Sequence, residues 1–439
     1  MRNKYYYMPL LIIFVFFSFG AGCISPNSPL VMDISNPSLF SLADTTFTSD
    51  TDMILANASP RNPSVSIVKR SSTSYSQSFS VNHIQEIILP GKNVERPQLS
   101  KDGSWLSLET YHERGGFEVY FVRLNNPSVV IPIKKKPNST RNLSASQVKW
   151  SATNNEIFYL IGTDQIGGLH FYKMDLELFS DNKSYLDDLC EKIFGQHKVK
   201  IQTYATNADF EKDYFLFART VNKNETQLSI FTSYLDNLPE PYKGGVSINH
   251  FSVNPYNQVA FAKQRKENKQ SKIVILADDS YPTTEAIWNR PNSISSEMAP
   301  QFSKHNPEKY VAFLAQEESK SKDWYLWLLI DPFTNHAKLT IIDGPILTND
   351  ETDALNDLNL AWHPDEDVIF YVKASEDGSN PIFYYNMGSK TKKQLVTNTR
   401  RNMYINIVGS KIVFGAQGKS DNVDRFTRKA YVADLVINK

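Results

Sequence analysis

Cysteine is nearly absent from this sequence of 439 residues, which contains only Cys23 and Cys190. A disulfide framework is therefore excluded as the main source of stability, and a folded domain must rely on its hydrophobic core. An excess of charge is absent too, because 47 basic side chains balance 47 acidic ones. This balance does not resemble the basic footprint of a nucleic-acid binder.

Long hydrophobic runs are also lacking. The apolar segment MPLLIIFVFFSF at 8–19 is too short to cross a bilayer comfortably. It follows two basic residues, Arg2 and Lys4, and it precedes the small residues of GAGC at 20–23. A basic start, a short apolar segment and small residues at the end are typical of an export signal.

This N-terminal segment resembles a bacterial lipoprotein signal, in which cleavage leaves the cysteine as the lipidated first residue. The resemblance implies a signal peptide at 1–22, lipidation of Cys23 and attachment to a membrane of the cell envelope, on its periplasmic or extracytoplasmic face. Gly20 stands where that family usually has leucine. Ordinary secretory cleavage nearby, which would release the protein, and an uncleaved anchor are therefore the alternatives.

Residues 23–82 are rich in Ser, Asn, Thr, Pro and Asp, with only scattered apolar residues. Prolines in such a context prevent regular structure, and the apolar surface is too small to form a core. We therefore expect a flexible tether at 23–82, followed by a folded domain at 83–439.

A repeated pattern begins after the tether, first in RPQLSKDGSWLSLETYHERGGFEVYFVRLNN at 96–126. Each copy reads as a short strand, a turn, an apolar strand, a charged loop and another strand. An apolar or aromatic anchor precedes each first turn, and the anchors recur about every 50 residues, the period of four-stranded propeller blades. The anchors are Leu99, Trp150, Tyr204, Phe251, Phe302, Trp362 and Ile407.

The second strand of each copy is apolar at adjacent positions, as at 157–160, 311–314 and 368–371. Strands of this kind are covered on both faces, as in blades that stack between neighbours. The sequence therefore predicts an all-β fold, a β-propeller of four-stranded blades. Seven blades are favoured, with six as the alternative because the copy that starts at 203 is weak. The last copy lacks an outer strand, which HIQEIILPG at 83–91 would supply, thereby closing the ring.

The blade motifs LSKDGSWLSLE at 99–109, FEVYFVRL at 117–124 and WHPDEDVIFYV at 362–372 resemble the β-propeller repeats of TolB-like periplasmic proteins. The resemblance covers about 85–439. TolB has an α/β domain before its propeller, where this sequence has the tether. Related repeats also occur in peptidases, but the sequence contains no G-x-S-x-G nucleophile motif.

The segment HPDED at 363–367 combines an imidazole with three carboxylates and could be taken for a metal or acid–base site. The repeats align it with the turn after the first strand, where proline and aspartate are common. We therefore interpret it as a turn and expect no metal or cofactor. SYLDDLCEKIFG at 184–195 has an apolar helical stripe, which predicts a helix capped by Ser184, with Cys190 as a buried core thiol.

The loops between the second and third strands emerge on the opposite face from these turns, and they are long and charged. Binding surfaces of repeat proteins commonly use such insertions, although solvated hairpin tips are the alternative interpretation. The candidate partner-binding residues on these loops are His112, Arg114, Arg265, Lys266, Glu376 and Asp377.

Together, these features predict a lipid-anchored, non-enzymatic binding or assembly module of the envelope, which presents loops to a protein or a glycan. The alternative is a propeller hydrolase or lyase that acts on an envelope glycan or peptide in the central channel. Such an enzyme needs acids on the first strands of different blades. Because the segments RPQL, SQVKW, APQF and LNLAW supply no carboxylate, we favour the binding module.

Overall fold

The computed structural model of this chain describes residues between Ser78 and Asn438. They are 78–89, 93–111, 117–133, 144–154, 157–163, 169–176, 186–194, 201–209, 212–222, 225–232, 242–243, 247–256, 258–264, 270–276, 290–317, 323–346, 359–419, 421 and 428–438. The predicted signal peptide, Cys23 and most of the predicted tether lie outside this range. No helix in the described part of the chain is long and apolar enough to cross a membrane.

Strands dominate the described residues, in which the only helix is α1 (Cys190–Phe194). The first strand, β1 (Ser78–Ile87), begins inside the segment predicted as tether. Sheets 1 to 3 then follow in chain order: sheet 1 has β2 (Val94–Leu99), β3 (Trp105–Tyr111), β4 (Phe117–Arg123) and β5 (Asn126–Pro132); sheet 2 has β6 (Ser144–Trp150), β7 (Ile157–Thr163), β8 (Leu169–Asp175) and β9 (Asp187–Asp188); sheet 3 has β10 (Ile201–Asp209), β11 (Lys212–Asn222), β12 (Glu225–Thr232) and β13 (Tyr242–Lys243).

Sheets 4 to 7 continue in the same way: sheet 4 has β14 (Ser247–Val253), β15 (Val259–Gln264) and β16 (Ser271–Leu276); sheet 5 has β17 (Ile294–Phe302), β18 (Tyr310–Glu317), β19 (Tyr325–Ile330) and β20 (Lys338–Asp343); sheet 6 has β21 (Leu360–Trp362), β22 (Val368–Val372), β23 (Ile382–Asn386) and β24 (Thr391–Leu395); sheet 7 has β25 (Thr399–Val408), β26 (Lys411–Gly418) and β27 (Lys429–Asn438), with β1 paired to β27.

Sheets 1 to 6 are antiparallel meanders in which strands adjacent in sequence are adjacent in space, and sheet 7 adds β1 beside β27. The protein is therefore an all-β β-propeller built from four-stranded blades. Complete four-stranded blades number six among the described residues, rather than the seven that the sequence predicts. Sheet 4 has three strands among the described residues, and the stretch after it, 277–289, lies outside the description.

Apolar clusters fill the spaces between neighbouring sheets. Between sheets 1 and 2, Phe121 packs on Phe158 with ring centroids 4.0 Å apart and meets the Trp150 ring edge-on. The second strands β18 and β22 are apolar on both faces, and β22 is buried along its whole length. Burial of this kind is the main stabilising term of the fold, and it confirms that the sheets stack as the sequence predicts.

The predicted anchors all lie on the first strands of their sheets. The indole Nε1 of Trp150 donates to the Gln98 carbonyl of the preceding sheet at 3.3 Å. Trp362 makes the same bond with the Gln301 carbonyl, also at 3.3 Å. A first strand has an unpaired edge towards the propeller axis, so these bonds satisfy carbonyl groups that its own sheet leaves open.

A bend recurs in the first strands, three residues before the anchor. Arg96, Gln147, Ala299 and Tyr404 have positive φ angles of 44°, 56°, 54° and 61° at this position. The strand pairing shifts register at each of them. A β-bulge of this kind turns the strand and redirects its side chains.

The HPDED segment forms the turn that the repeats predict. The backbone N–H of Asp365 donates to Nδ1 of His363 at 3.1 Å. In sheet 2, Ser151 Oγ accepts a bond from the Thr153 N–H in the same way, also at 3.1 Å. The side chain of His363 therefore serves as a turn cap, and it is only 3% exposed.

Cys190 is a buried core residue, which confirms the interpretation of its thiol. The N–H of Phe171 donates to its Sγ at 3.1 Å, and burial raises its pKa to about 12. The extended helix predicted around it is wrong, however. Asp187 and Asp188 pair with β8 as the fourth strand of sheet 2, so α1 starts only at Cys190. Asp188 Oδ1 accepts the N–H of Cys190 and takes the capping role assigned to Ser184, which lies outside the described residues.

Candidate functional site

The ends of the second strands, which the predicted charged loops follow in the sequence, lie on one face of the propeller, here named the loop face. It carries the ends of the second strands and the starts of the third and first strands, since neighbouring strands are antiparallel. Residues 373–381 of sheet 6 and 290–293, just before sheet 5, belong to it. The turn at His363 lies on the opposite face.

Two of the predicted site residues, Glu376 and Asp377, lie on the loop face among the described residues, and both are exposed. His112, Arg114, Arg265, Lys266 and Cys23 lie outside the described residues. These two neighbours in the sequence lie at the tip of the loop between β22 and β23, and the structure brings no other predicted site residue beside them within the part of the chain that it describes.

The loop at 375–380, here named the acidic loop, has a defined internal structure. Ser375 Oγ accepts the N–H of Asn380 at 2.8 Å, and the Ser375 carbonyl accepts the N–H of Gly378 at 3.0 Å. Asp377 Oδ1 accepts the N–H of Ser379 at 2.9 Å. Gly378 has a φ of +67°, a conformation that favours glycine and closes the turn. These bonds fix the loop while its tip remains in solvent.

The acidic loop is also tied to the first strand of the next sheet. The N–H of Arg401 donates to the Ser379 carbonyl at 2.8 Å, and the Asn402 amide donates to the Asn380 carbonyl at 2.8 Å. The bond from the Ser379 N–H lowers the pKa of Asp377, so its carboxylate is ionised at neutral pH. The loop therefore presents negative charge in one conformation at neutral pH.

A second feature of the loop face is a cleft of about 220 Å³ between sheets 4 and 5, here named the basic cleft. It is lined by Gln270, Ser271, Lys272, Arg290, Asn292 and Glu297, among others. The stretch just before it in the sequence, KQRKENK at 263–269, has four basic residues and one acidic residue. The cationic residues that line the basic cleft are Lys272, which is exposed, and Arg290.

Arg290 is held in place by Glu297, which also lines the cleft, and by the backbone of Ile273. Its Nε lies 3.0 Å from Glu297 Oε1, and its Nη2 donates to the Ile273 carbonyl. Glu297 Oε2 also accepts the N–H of Ile273 at 2.6 Å, and its side chain is 1% exposed. Burial raises the pKa of Glu297, although the Arg290 charge opposes that shift. The pair fixes the position of the guanidinium and joins sheets 4 and 5.

The first strands carry carboxylates, which corrects the prediction that they supply none. Glu95 lies on β2, and Glu297 lies on β17. The strands begin earlier than the segments quoted from the sequence, because pairing continues past the bulge on both sides. Glu95 pairs with Arg428, and Glu297 pairs with Arg290, so each carboxylate is neutralised by a guanidinium.

Lys272, Arg290 and Glu297 are the residues that sequence reasoning missed. The charge-rich stretch at 263–270 pointed to this region but not to these positions. Arg290 and Lys272 line the same cleft only because β16, which contains Lys272, and β17, which follows Arg290 in the chain, come from sheets that pack together. Among the described residues, no group of three or more His, Cys, Asp or Glu side chains is placed to hold a metal ion.

No protein-family model and no curated protein matches the sequence. Solved structures do match, and an oligogalacturonate lyase in complex with manganese is similar with a TM-score of 0.54 and 11% identity, over 82% of this chain and 96% of the lyase. A puromycin-hydrolysing peptidase from Mycobacterium tuberculosis has a TM-score of 0.54 and 10% identity, over 79% of this chain and 51% of its own, so this chain spans about half of it.

TolB-like proteins are also among the structural neighbours. A TolB protein from Agrobacterium tumefaciens is similar over 82% of this chain and 98% of its own, with 12% identity and a TM-score of 0.38. A TM-score this low is insufficient to establish a shared fold. The lyase and peptidase similarities, at identities near 10%, establish a shared propeller fold, on which many different functions occur.

Proposed function

We propose that the loop face binds a protein partner and that this chain is a non-enzymatic binding or assembly module. The acidic loop carries the proposal, because it is locked by hydrogen bonds and yet presents Glu376 and Asp377 to solvent. A loop that is ordered before binding loses little conformational entropy on association, so more of its contact energy contributes to affinity.

Charge of both signs on the loop face further supports a protein partner. The acidic loop belongs to sheet 6, while the basic cleft lies between sheets 4 and 5. Separated patches of opposite charge fix the orientation of a partner and reject partners with the wrong charge pattern. A neutral glycan would make little use of such an arrangement.

The proposal also covers the cellular location of the protein and the closure of the propeller ring. Cys23 is lipidated, and residues 23–77 tether the propeller to the envelope membrane; the N-terminal sequence pattern supports this. Replacement of Cys23 by alanine should release the protein from membranes, and continued attachment would refute the anchor.

We also propose that sheet 4 is a seventh blade and that β1 closes the ring. The antiparallel pairing of β1 with β27, from Ser78 to Ile87, supports the closure.

A hydrolase or lyase is the second candidate, and one observation favours it. Glu95 and Glu297 place carboxylates on the first strands of two different sheets, as acid–base chemistry in the channel would need. Both are engaged with arginines, however, and their side chains are only 14% and 1% exposed. We therefore favour binding. An isosteric Glu95→Gln variant should leave partner binding intact.

Co-purification from solubilised membranes tests the proposal with matched variants. Glu376→Gln/Asp377→Asn removes two charges but keeps an oxygen acceptor for the Ser379 N–H. Asp365→Asn/Glu366→Gln removes the same charges from the opposite face of the same sheet. We expect a reproducible protein partner with wild type and the control, and its loss with the loop variant. Equal recovery in all three, or the absence of any partner, would contradict the proposal.

A further inference from the structure

We propose that the basic cleft is a subsite for an acidic side chain of the partner protein. The inference rests on the proposed function, because it names the chemistry of the group that the loop face recognises. It comes from the cleft's size, the charges that reach its surface and the fixed position of Arg290.

The size of the cleft favours a single side chain. Pockets for complete small-molecule ligands generally have volumes of roughly 300–1,000 Å³. The basic cleft has a volume of about 220 Å³, and it opens on the face where the partner would dock. It therefore suits one anchoring side chain of a larger partner better than it suits a free metabolite.

The sign of the charge in the cleft selects an acid. Lys272 is exposed, and the Arg290 side chain is 32% exposed, whereas the Glu297 side chain is 1% exposed and already bound to Arg290 and the Ile273 N–H. Positive charge therefore reaches the surface, while the Glu297 carboxylate, although it lines the cleft, is buried and paired with Arg290. A carboxylate that enters the cleft meets two cationic groups and no exposed acid among the described lining residues.

The position of Arg290 favours a carboxylate further. Its guanidinium is already oriented by Glu297 and the Ile273 carbonyl, so binding does not have to order this long side chain. A planar guanidinium matches the two oxygens of a carboxylate, while a lysine acts as a simple point charge. Lys272 and Arg290 would thus contact the same acid in complementary ways.

The test uses the whole exported chain and a short peptide with one central glutamate, compared with its glutamine counterpart, by isothermal titration calorimetry. Lys272→Gln should weaken binding of the glutamate peptide about five-fold, as expected for one partly exposed charge contact. Arg290→Gln/Glu297→Gln, which removes the pair without leaving a buried charge unpaired, should weaken it at least as much. Lys338→Gln, at the start of β20 on the opposite face, should change it less than two-fold.

Three results would overturn the inference: equal affinity for the glutamate and glutamine peptides, an equal effect of Lys272→Gln and Lys338→Gln, or binding of inorganic phosphate but not of the glutamate peptide. Unchanged urea midpoints would show that each variant is folded.

Co-purification with Lys272→Gln separates this inference from the proposed function. If Glu376→Gln/Asp377→Asn loses the partner while Lys272→Gln retains it fully, the subsite is refuted and the binding face stands. The opposite result is also informative. If Lys272→Gln and Arg290→Gln/Glu297→Gln weaken peptide binding but no variant reduces co-purification, the cleft does bind acids, and the proposal that the loop face binds a protein partner is refuted.

Discussion

The Nδ1 atom of His363 accepts the backbone N–H of Asp365 at 3.1 Å, in a turn where other sheets use serine. The ring packs against Phe79, with centroids 5.5 Å apart. Burial lowers the pKa of His363 to about 4, and the nearby charges of Lys304 and His305 contribute to the shift. The histidine is therefore neutral at physiological pH and has a structural role.

Acidification should destabilise the protein through His363. Its pKa is lower in the folded state than the ordinary 6.5, so below about pH 6.5 the unfolded chain binds a proton that the folded chain excludes. This contribution is absent at higher pH, grows as the pH falls and reaches about 3 kcal/mol near pH 4. His363→Ser keeps a turn cap and should lose this part of the pH dependence in urea unfolding. His336→Ser, at an exposed position, should not; the same pH slope in all three proteins would contradict the assignment.

Because β1 packs against its neighbours through Phe79, substitution of this residue should strongly lower the free energy of unfolding. The ring is 6% exposed and lies 5.1 Å from the Tyr384 ring, and the Phe79 N–H donates to the Tyr384 hydroxyl at 3.0 Å. Phe79→Ala should reduce the free energy of unfolding by about 3–5 kcal/mol. Ile88→Ala, at a residue 51% exposed, should change it by about 0.5 kcal/mol or less. Equal urea midpoints for the two variants would show that β1 is not part of the folded unit.

Gly415 makes room for the arginine that joins sheets 7 and 1. A Cβ at this position would lie 2.9 Å from Cδ of Arg428 and 3.3 Å from Cδ2 of Tyr404, where neighbouring atoms would have to shift. Gly415→Ala should therefore destabilise the protein by about 1–3 kcal/mol. Glycine-to-alanine changes in strands are otherwise neutral or favourable. Gly388→Ala, which meets only Asn386 Oδ1 at 3.4 Å, is the control. Thermal unfolding that finds Gly415→Ala as stable as wild type would contradict this packing.

The blade pattern could be predicted because its physical cause is written locally in the sequence. Anchors such as Trp150 and Trp362 and continuous apolar strands such as β22 have to be buried between sheets, and periodicity reveals this. The turn at His363 was predictable because its equivalents in other copies contain turn-forming residues.

The bulges and the basic cleft could not be predicted in the same way. Arg96 and Tyr404 adopt positive φ without being glycine, so their composition gives no signal of a bend. The bulge also extends the first strands, which is why Glu95 and Glu297 were missed. The cleft arises from the packing of sheet 4 against sheet 5, and nothing in a single repeat specifies which side chains meet across that contact.

Site-specific photocrosslinking in intact cells tests the central claim, that the loop face binds a protein partner, most directly. A photoreactive amino acid would replace Glu376 on the loop face or Asp365 on the opposite face, both exposed positions in sheet 6. The account predicts one discrete protein adduct from position 376 and none from position 365. The same adduct from both positions, or an adduct from position 365 alone, would contradict it.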